Sequence, residues 1–305
     1  MGINMIYTNK FGFPDFVQQW LKHDDYDYDK DAISTTTLMQ PARAYALKKH
    51  HWKELEIDIS DLIASRYGTA IHDSVEKVKL TGCKQEERIS KRVMNRNITG
   101  KYDILRPIAP DQWELIDVKS TSVWTYIYGS KDEDYKKQLS IYRWLSVQNN
   151  FNVVQKAKIW MIFTDWSAAK ARSDPAYPQT RIMIKEVDLW GDDETLKYIG
   201  ERIRLFNRVE TMPEEEMPEC TDEELWAQED VYQVMKGDNK RSTKNCKTQA
   251  EAEEYIETKA EVLRKSLRVN LRKGGVKRCK YCTARKFCEQ YKRLIEQGRS
   301  EDHEL

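Results

Sequence analysis

Apolar positions in the central third of the chain follow two periods, and each period predicts a different element. A period near 3.6 residues predicts amphipathic helices over roughly Asp58–Leu80 and Lys131–Val147. Between them, β-branched and aromatic residues alternate with polar ones, which predicts strands around Ile89–Arg96, Thr99–Arg106 and Trp113–Lys119. Strands and helices interspersed in this way predict a protein of the α/β class.

The same patterns extend to both sides of this region. The first thirty residues predict an amphipathic helix and an acidic loop, DDYDYDKD, and Thr35–His50 predicts a helix that a Ser/Thr cluster can cap. The segments KAKIWMIFTDW and TRIMIKEVDLW alternate like strands, and a helix over Asp193–Arg208 closes the predicted core.

Beyond Thr211 the composition changes. MPEEEMPEC is typical of a linker, and a small appendage follows it, with a short helix, a hairpin near Gly237 and a helix over Ala250–Arg268. A cysteine trio then leads into a terminal helix. We therefore predict three parts, which are residues 1–34, a core over 35–210 and an appendage over 211–305.

Composition narrows the class of protein. The chain has 305 residues, 40% of them hydrophobic, which is enough for a buried core, and no apolar run approaches the length of a membrane span. There is no G-x-x-x-x-G-K-[ST] motif, so no P-loop motor is predicted. We expect a cytoplasmic protein, in the host cytoplasm if a phage encodes it.

Two carboxylates and a lysine are spaced for metal-assisted hydrolysis. Asp103 lies in one predicted strand, and Asp117 and Lys119 lie two positions apart in the next, so they share a face. Magnesium takes oxygen ligands and needs one or two protein carboxylates, and it neutralises the charge that develops during phosphodiester hydrolysis. Lys119 can orient the attacking water or stabilise the pentavalent phosphate. The pattern predicts a phosphodiesterase site.

Further residues on the predicted helices extend this set. His72 is an imidazole ligand for magnesium and, more readily, for manganese. Gln138 and Tyr142 are four apart on one helix face, and both can hydrogen-bond a phosphate or hold Lys119 in place. Gly100 lacks a Cβ and would let backbone or substrate approach. Each of these is often structural when alone, but their combination favours a site.

Three cysteines near the C-terminus, Cys279, Cys282 and Cys288, have the spacing C-x2-C-x5-C. No signal peptide is evident, so the trio indicates a metal rather than disulfides. Free buried thiols are the alternative, which the surrounding charged residues disfavour.

Zinc and iron–sulfur sites both require four ligands, so a distant cysteine must complete the set. Cys220 is favoured because it stands at the start of a predicted helix that Thr221 and Glu224 can cap. Cys83 and Cys246 are the alternatives.

The net charge is only +1, but basic residues are concentrated locally. The segment RKSLRVNLRKGGVKRCK carries eight Lys or Arg, which is typical of phosphate contacts or of a solvated helix face. Trp124 and Tyr126 follow the catalytic strand and can stack on bases or pack in the core. The candidate DNA-binding residues are Trp124, Tyr126, Arg264, Lys265, Arg268, Arg272 and Lys273.

The order of these motifs resembles that of the PD-(D/E)xK nuclease superfamily, in its RecB-like branch. The matching residues are His72, then Gly100 with Asp103 (G-x-x-D), then Asp117 with Lys119 (D-x-K), then Gln138 with Tyr142 (Q-x-x-x-Y). The resemblance implies a restriction-endonuclease-like core of a mixed β-sheet flanked by helices, and it implies DNA cleavage. It also implies metal binding by His72, Asp103, Asp117 and the Val118 carbonyl.

The C-terminal trio extends the resemblance. Several RecB-like nucleases, including AddB-type domains and CRISPR-adaptation exonucleases, carry an iron–sulfur cluster here, with the first cysteine in an early C-P-R segment. This chain has LMQPARAYAL there, with Gln40 at the cysteine's place. Its CTDEELW is more similar to phage-encoded members. The implied ligands are Cys220, Cys279, Cys282 and Cys288, holding [4Fe–4S] or, alternatively, zinc.

Three functions follow as hypotheses. The first is a magnesium- or manganese-dependent exonuclease that acts on DNA with a free end, with a replication or recombination protein as a partner. The second is a non-catalytic nucleic-acid-binding scaffold on the same fold, which would not need Asp103, Asp117 and Lys119. The third is an endonuclease, for which the sequence shows no specificity element.

Overall fold

The structure is a computed structural model that describes residues 5–23 and 32–300. The strands are β1 Ile6–Thr8, β2 Ala32–Ser34, β3 Glu56–Asp58, β4 Lys84–Gln85, β5 Arg88–Val93, β6 Arg96–Lys101, β7 Ile104–Ala109, β8 Gln112–Thr121, β9 Val153–Phe163, β10 Ile182–Asp188, β11 Val231–Lys236, β12 Lys244–Cys246 and β13 Leu267–Arg272. The helices are α1 Asp15–Lys22, α2 Thr35–Leu38, α3 Ala42–His50, α4 Ile63–Glu76, α5 Val123–Tyr128, α6 Asp132–Gln148, α7 Ala168–Ser173, α8 Asp192–Val209, α9 Gln249–Glu257, α10 Glu261–Arg264 and α11 Glu289–Glu296. Short 3-10 turns cover Ile59–Leu62, Glu214–Glu216, Arg278–Tyr281 and Arg285–Phe287.

The chain divides into two compact units. The first contains Met1–Gln40 and Glu56–Thr211, and the second contains Pro41–Leu55 and Met212–Leu305. The boundary between Thr211 and Met212 lies one residue after the predicted boundary between residues 210 and 211. Residues 41–55 were predicted within the core, but they group with the C-terminal unit.

A five-stranded mixed sheet in the order β10-β9-β8-β7-β4 organises the first unit. Strands β8 and β9 are parallel, and the other pairs are antiparallel. A second sheet, β2-β6-β5, and the parallel pair β1-β3 complete the strands of this unit. The predicted α/β class, with a mixed sheet flanked by helices, is confirmed.

Strand β8 is buried on both faces, as expected of a central strand. Ile116 and Val118 pack with Ile104, and the half-buried Val75 and Trp160 extend this cluster. The alternate positions, including Asp117, face the other side because side chains alternate along a strand. Asp117 and Lys119 therefore lie on a strand that is paired on both edges and mostly buried.

Two predicted elements are each divided in two. Thr35–His50 forms α2 and α3, separated at Pro41, which precedes the first residue of α3. Proline lacks an N–H and disfavours helical geometry in the residue before it, so one continuous helix was the wrong prediction. Thr99–Arg106 is shared between β6 and β7, and Tyr102 between them is fully buried.

The second unit has its own small sheet and two apolar clusters. Strands β12-β11-β13 form an antiparallel sheet, and Val234, Cys246 and Ala252 form the cluster where α9 covers it. The predicted helix Ala250–Arg268 is wrong beyond residue 264, because LRVNLR alternates apolar and polar residues and forms β13. The C-terminal appendage is therefore not a basic helix.

Two of the sequence predictions concern the N-terminal segment of the chain. The predicted N-terminal helix corresponds to α1, whereas the acidic run at 24–31 lies outside the described residues. Within the described ranges, no helix combines the length and apolar character that a bilayer crossing requires.

Candidate active site

The break between β6 and β7 places Asp103 beside β8. The Val118 N–H donates a 2.6 Å hydrogen bond to Asp103 Oδ2, so the Asp103 carboxylate lies against the backbone next to Asp117. The Asp117 residue is 1% exposed, and the Asp103 side chain is 12% exposed. The two carboxylates predicted from neighbouring strands are thus brought together. The contact shown for Val118 is through its N–H, so the predicted role of its carbonyl stays a prediction.

Lys119 lies beside Asp117 on the same face of β8. Its Nζ donates to Asp117 Oδ1 at 3.0 Å and forms an ion pair with Oδ2 at 2.9 Å. Oδ2 is buried and has no hydrogen-bond partner among the described residues. The Lys119 ammonium is therefore the compensating charge beside this oxygen, and a buried carboxylate whose hydrogen bonding is incomplete favours a further cation nearby.

Three side chains converge on the open side of Asp103. His72 Nδ1, from α4, lies 3.7 Å from Asp103 Oδ2 and 4.0 Å from Glu86 Oε1. One ligand atom from each residue falls within a mutual 4.8 Å, and no other described His, Cys, Asp or Glu residues form such a group of three. This set can hold one divalent ion, and Asp117 is not a member of it.

Glu86 is a candidate functional residue that the sequence did not reveal. It sits between β4 and β5 with a positive φ of 54°, and its N–H donates to the Asp103 carbonyl oxygen at 3.0 Å. Lys101 Nζ lies 2.6 Å from the other carboxylate oxygen of Glu86. The only sequence signal was an acidic pair before a predicted strand, which is too common to identify a ligand.

Burial and like charge shape the ionisation of this site. Burial and the charge of Asp117 raise the pKa of Asp103 to about 7. The Glu86 carboxylate raises the pKa of His72, and Asp103 adds to the effect against the opposing influence of burial. Burial opposes ionisation of Glu86, but His72 and Lys101 lower its pKa overall. The ionised forms of Asp103 and Asp117 therefore repel each other in this buried setting, and a bound cation would relieve the repulsion.

Helix α6 covers the lysine with the predicted glutamine–tyrosine pair. Gln138 Nε2 donates to Tyr142 Oη at 3.0 Å, and burial raises the pKa of Tyr142 to about 12. Burial disfavours the charge of Lys119, yet Asp117 and Asp103 raise its pKa, so this lysine is a fixed cation at neutral pH. The structure thus brings Gln138 and Tyr142 to the site, as predicted.

Gly100 has a different role from the predicted one. A Cβ at Gly100 would lie 2.8 Å from Cδ1 of Tyr142 and 3.0 Å from Leu145. The glycine therefore makes room for the tyrosine ring of α6 rather than for substrate.

A cavity of about 710 Å³ opens onto this group. Its lining combines the carboxylates with hydroxyl and basic side chains that can contact phosphate oxygens, among them Ser34, Thr36, Thr37, Arg88 and Lys101 together with His72, Glu86 and Asp103. The volume is sufficient for a nucleotide-sized group, and the lining favours an anionic ligand once a cation is bound.

Comparison with known proteins agrees with this geometry. The family model described as "PD-(D/E)XK nuclease superfamily" matches residues 40–289, which is most of the chain. The chain belongs to the PD-(D/E)XK nuclease superfamily. This membership indicates a nuclease, and a nuclease of this kind acts on DNA.

Two solved structures and one further search complete the comparison. The crystal structure of SSO0001 is 20% identical, covering 63% of this chain and 85% of that one, with a TM-score of 0.44. The crystal structure of a phage related exonuclease from Haemophilus somnus 129PT is 15% identical, covering 64% and 79%, with a TM-score of 0.27. Similarities this low carry no argument about activity. A search of curated proteins finds no match.

The predicted cysteine ligands of this nuclease superfamily member all lie in the second unit. Cys279 is buried in a cluster with Leu225 and Tyr291, and Cys220 and Cys288 pack against that cluster. The charge of Cys282 contributes to raising the pKa of both Cys220 and Cys279, although burial is the larger cause.

The two alternative fourth ligands lie elsewhere. Cys246 belongs to the separate cluster with Val234 and Ala252, and Cys83 belongs to the first unit. Thr221 and Glu224 exchange the expected capping hydrogen bonds, at 3.1 and 3.2 Å, but the residues that follow form a turn rather than a helix.

The cysteine surroundings are basic. Arg43 of α3 is only 4% exposed, and its Nε donates to Cys288 Sγ at 3.3 Å, while its Nη1 donates to the Met217 carbonyl at 2.9 Å. A buried arginine requires an acceptor for its charge, which a thiolate or a thiolate-ligated centre would provide.

The predicted DNA-binding residues separate into two groups. Arg268 and Arg272 project from β13, are exposed, and have no ion-pair or hydrogen-bond partner in the described part of the chain. The remaining basic residues are engaged, since Arg264 pairs with Glu257, Lys265 with Glu261, and Lys273 with the Gln297 carbonyl. Trp124 is 39% exposed, whereas Tyr126 is half-buried with its ring against Phe163.

Proposed function

We propose that this protein is a metal-dependent DNA exonuclease that hydrolyses phosphodiester bonds from DNA ends, in phage DNA replication, recombination or degradation. The observation that carries the proposal is the pair of adjacent buried carboxylates of Asp103 and Asp117, with Lys119 ion-paired to Asp117. A scaffold would have no use for two adjacent buried carboxylates whose repulsion lowers its stability.

The residues present fit a magnesium or manganese ion. Asp103 and Asp117 offer hard oxygen ligands, and His72 adds an imidazole that favours manganese. Glu86 is a further oxygen ligand, or it holds His72 in position through the carboxylate–imidazole contact. Such an ion, when bound, polarises the phosphate and lowers the pKa of water.

The other groups that the proposed hydrolysis needs are a lysine of β8 and a hydrogen-bonded pair of side chains on α6. Lys119, charged and held by Asp117, is placed to orient the attacking water and to stabilise charge on the phosphate oxygens. Tyr142 and Gln138 restrict the space around the lysine, so its ammonium keeps one position. This arrangement is preorganised, because both helix α6 and strand β8 are rigid elements.

Metal dependence has a direct test. We expect cleavage of linear DNA with magnesium, equal or greater cleavage with manganese, and none in chelator. Calcium should support DNA binding with little hydrolysis. Full activity in chelator would contradict the two-carboxylate mechanism.

The preference for ends rests on the RecB-like order of motifs. The test compares end-labelled linear duplex with covalently closed circular duplex of the same sequence, with Lys119→Ala as the inactive control. Release of nucleotides from the linear substrate alone supports an exonuclease. Equally fast cleavage of the closed circle would favour the endonuclease, and binding without any cleavage would favour the scaffold.

The cysteine group (Cys220, Cys279, Cys282 and Cys288) is proposed to hold one metal centre, [4Fe–4S] or alternatively zinc. Either centre takes four cysteine ligands. Iron, sulfide and zinc analysis after anaerobic purification decides between them.

Arg268 and Arg272 are proposed as phosphate contacts. They are four residues apart on a strand and therefore share a face, to which Asn270 also belongs. Substituting both with Gln should weaken DNA binding and reduce its salt dependence, whereas substituting the ion-paired Lys265 should have a smaller effect.

A further inference from the structure

The segment that follows the catalytic strand carries an exposed aromatic stack. Trp124 and Tyr128 are four apart on α5, and their rings are stacked with centroids 5.7 Å apart and planes inclined by 16°. Lys170 Nζ lies over the Trp124 ring, 4.6 Å from its centroid. Tyr128 is 73% exposed, so it forms the open end of a stack that we name the aromatic shelf (Lys170, Trp124 and Tyr128).

The aromatic shelf is held firmly in place. Asp165 accepts hydrogen bonds from the Ser122 hydroxyl at 2.6 Å and from the Val123 N–H at 2.7 Å, which fixes the start of α5. Tyr126, on the inner side of the helix, packs against the fully buried Phe163. An exposed ring on such an anchored helix loses little conformational freedom when it binds a ligand.

The shelf lies within a short reach of the candidate active site. Three extended residues lie between Lys119 and the six-residue helix that ends at Tyr128. The Cα atoms of Lys119 and Tyr128 are therefore at most about 20 Å apart. At about 3.4 Å per stacked nucleotide, this corresponds to no more than about six nucleotides. A strand with its scissile bond at Lys119 can therefore extend as far as Tyr128.

We infer that Tyr128 stacks on an unpaired base and that the aromatic shelf selects single-stranded DNA, an inference that rests on the proposed nuclease function. Duplex DNA does not present a free base face along its length, whereas each base of a single strand does. Lys170 and the exposed Lys131, which follows the helix, add positive charge that suits the strand's phosphates. The selected substrate is a single-stranded end or overhang.

The test measures binding in chelator, where it does not depend on cleavage. The probe is fluorescently labelled oligo(dT), with a blunt hairpin duplex as the comparison. Tyr128→Ala should weaken oligo(dT) binding about fivefold to a hundredfold, the range for loss of one stacked base, and should leave duplex binding unchanged. Tyr128→Trp should bind as tightly as the wild type. Ile127→Ala, at a 38% exposed neighbour without a ring, is the matched control.

Several results would overturn the inference. These are an unchanged affinity of Tyr128→Ala for oligo(dT), an equal loss for the single strand and the duplex, or no binding of oligo(dT) by the wild-type protein. The first of these would leave a protein partner as the occupant of the shelf. If the wild type binds oligo(dT) through Tyr128 but cleaves no DNA, the proposed function fails and the shelf stands. If the wild type cleaves DNA but neither binding nor cleavage depends on Tyr128, the proposed function stands and the inference about the shelf fails.

Discussion

The carboxylate centre (His72, Glu86, Asp103, Asp117 and Lys119) and the cysteine group are both predicted to hold metal, but their ligand atoms are spaced differently. In the first, ligand atoms of three residues already lie within 4.8 Å of one another, whereas no three sulfurs of the second do. The fold alone thus brings three candidate ligand atoms close together in the carboxylate centre but not in the cysteine group.

Their charge environments differ as well. The carboxylate centre brings three carboxylates together with the imidazole of His72 and the ammonium of Lys119, and two of those carboxylates, Asp103 and Asp117, are buried side by side. The cysteine group instead has a buried arginine as a hydrogen-bond donor to one sulfur. We expect the first centre to destabilise the folded state without its ion, and the second to depend on its metal for stability.

The largest expected effect is on catalysis at the carboxylate centre. Lys119→Ala should reduce cleavage of end-labelled DNA by a factor of about 10²–10³ or more, since it removes stabilisation of the order of 3–4 kcal/mol from the transition state. Thermal unfolding should show an intact fold. Lys156→Ala, which removes an exposed lysine from the adjacent strand β9, is the control. Wild-type rates in Lys119→Ala would place the chemistry elsewhere.

The next effect concerns the stability of the second unit. Cys282→Ser should remove the bound metal and cost at least about 3 kcal/mol, because metal binding contributes to folding free energy. For a unit of this size that corresponds to a fall in Tm of roughly 12 °C or more, measured by calorimetry together with metal content. Cys83→Ser, in the first unit, should change neither. Well-folded protein without iron or zinc would show that the cysteines are simple thiols.

The Asp103→Asn variant tests how much the buried charge of the carboxylate centre lowers the stability of the folded state. Burial raises the pKa of Asp103 from 3.8 to about 7, so the folded state binds its proton more tightly and loses stability as pH rises from about 4 to about 7. In chelator at pH 8, the Asn variant should be more stable by about 1–4 kcal/mol, and the gain should shrink towards pH 5. The measurement is denaturant unfolding, with the exposed Asp188→Asn as the control. Equal stability of wild type and variant would contradict the charge argument.

The smallest effect tests packing beneath the carboxylate centre. Gly100→Ala should destabilise the protein by about 1–3 kcal/mol, because its Cβ would overlap the Tyr142 ring. Gly200→Ala, inside α8, meets only the flexible end of Arg204 and should stabilise by up to about 1 kcal/mol. Denaturant midpoints of the two variants should therefore move in opposite directions. An unchanged or higher midpoint for Gly100→Ala would show that the ring of Tyr142 gives way.

Residues related by a fixed period were placed correctly from sequence. Asp117 and Lys119 follow the two-residue repeat of a strand, and Gln138 and Tyr142 follow the helical repeat, so both pairs could be placed on one face. Glu86 could not be found in this way. It depends on a turn with positive φ and on hydrogen bonding to Asp103, neither of which leaves a periodic signal.

Errors arose where one pattern contained a break. The division of β6 from β7 depends on burial of Tyr102, whose hydroxyl donates to Glu87 at 2.7 Å, a tertiary contact that alternation does not reveal. Arg264 to Arg272 had helical composition at its start and strand alternation at its end, and the sequence prediction extended the first too far. The sequence likewise could not show that Tyr128 is more exposed than Tyr126, because only the orientation of the helix separates the two rings.

Helix α3 belongs to the second unit, although it precedes the rest of that unit by more than 150 residues, and this has a consequence for synthesis of the chain. Arg43 and Cys288 are 245 residues apart in sequence, and His51 of the same early segment stacks on Phe287 with ring centroids 3.8 Å apart. At about 5–20 residues per second, the ribosome needs roughly 12–50 s to deliver the partners of α3 after the helix emerges. The second unit therefore cannot complete its folding in the order of synthesis, and any metal centre that includes Cys288 must be assembled after that residue has been made.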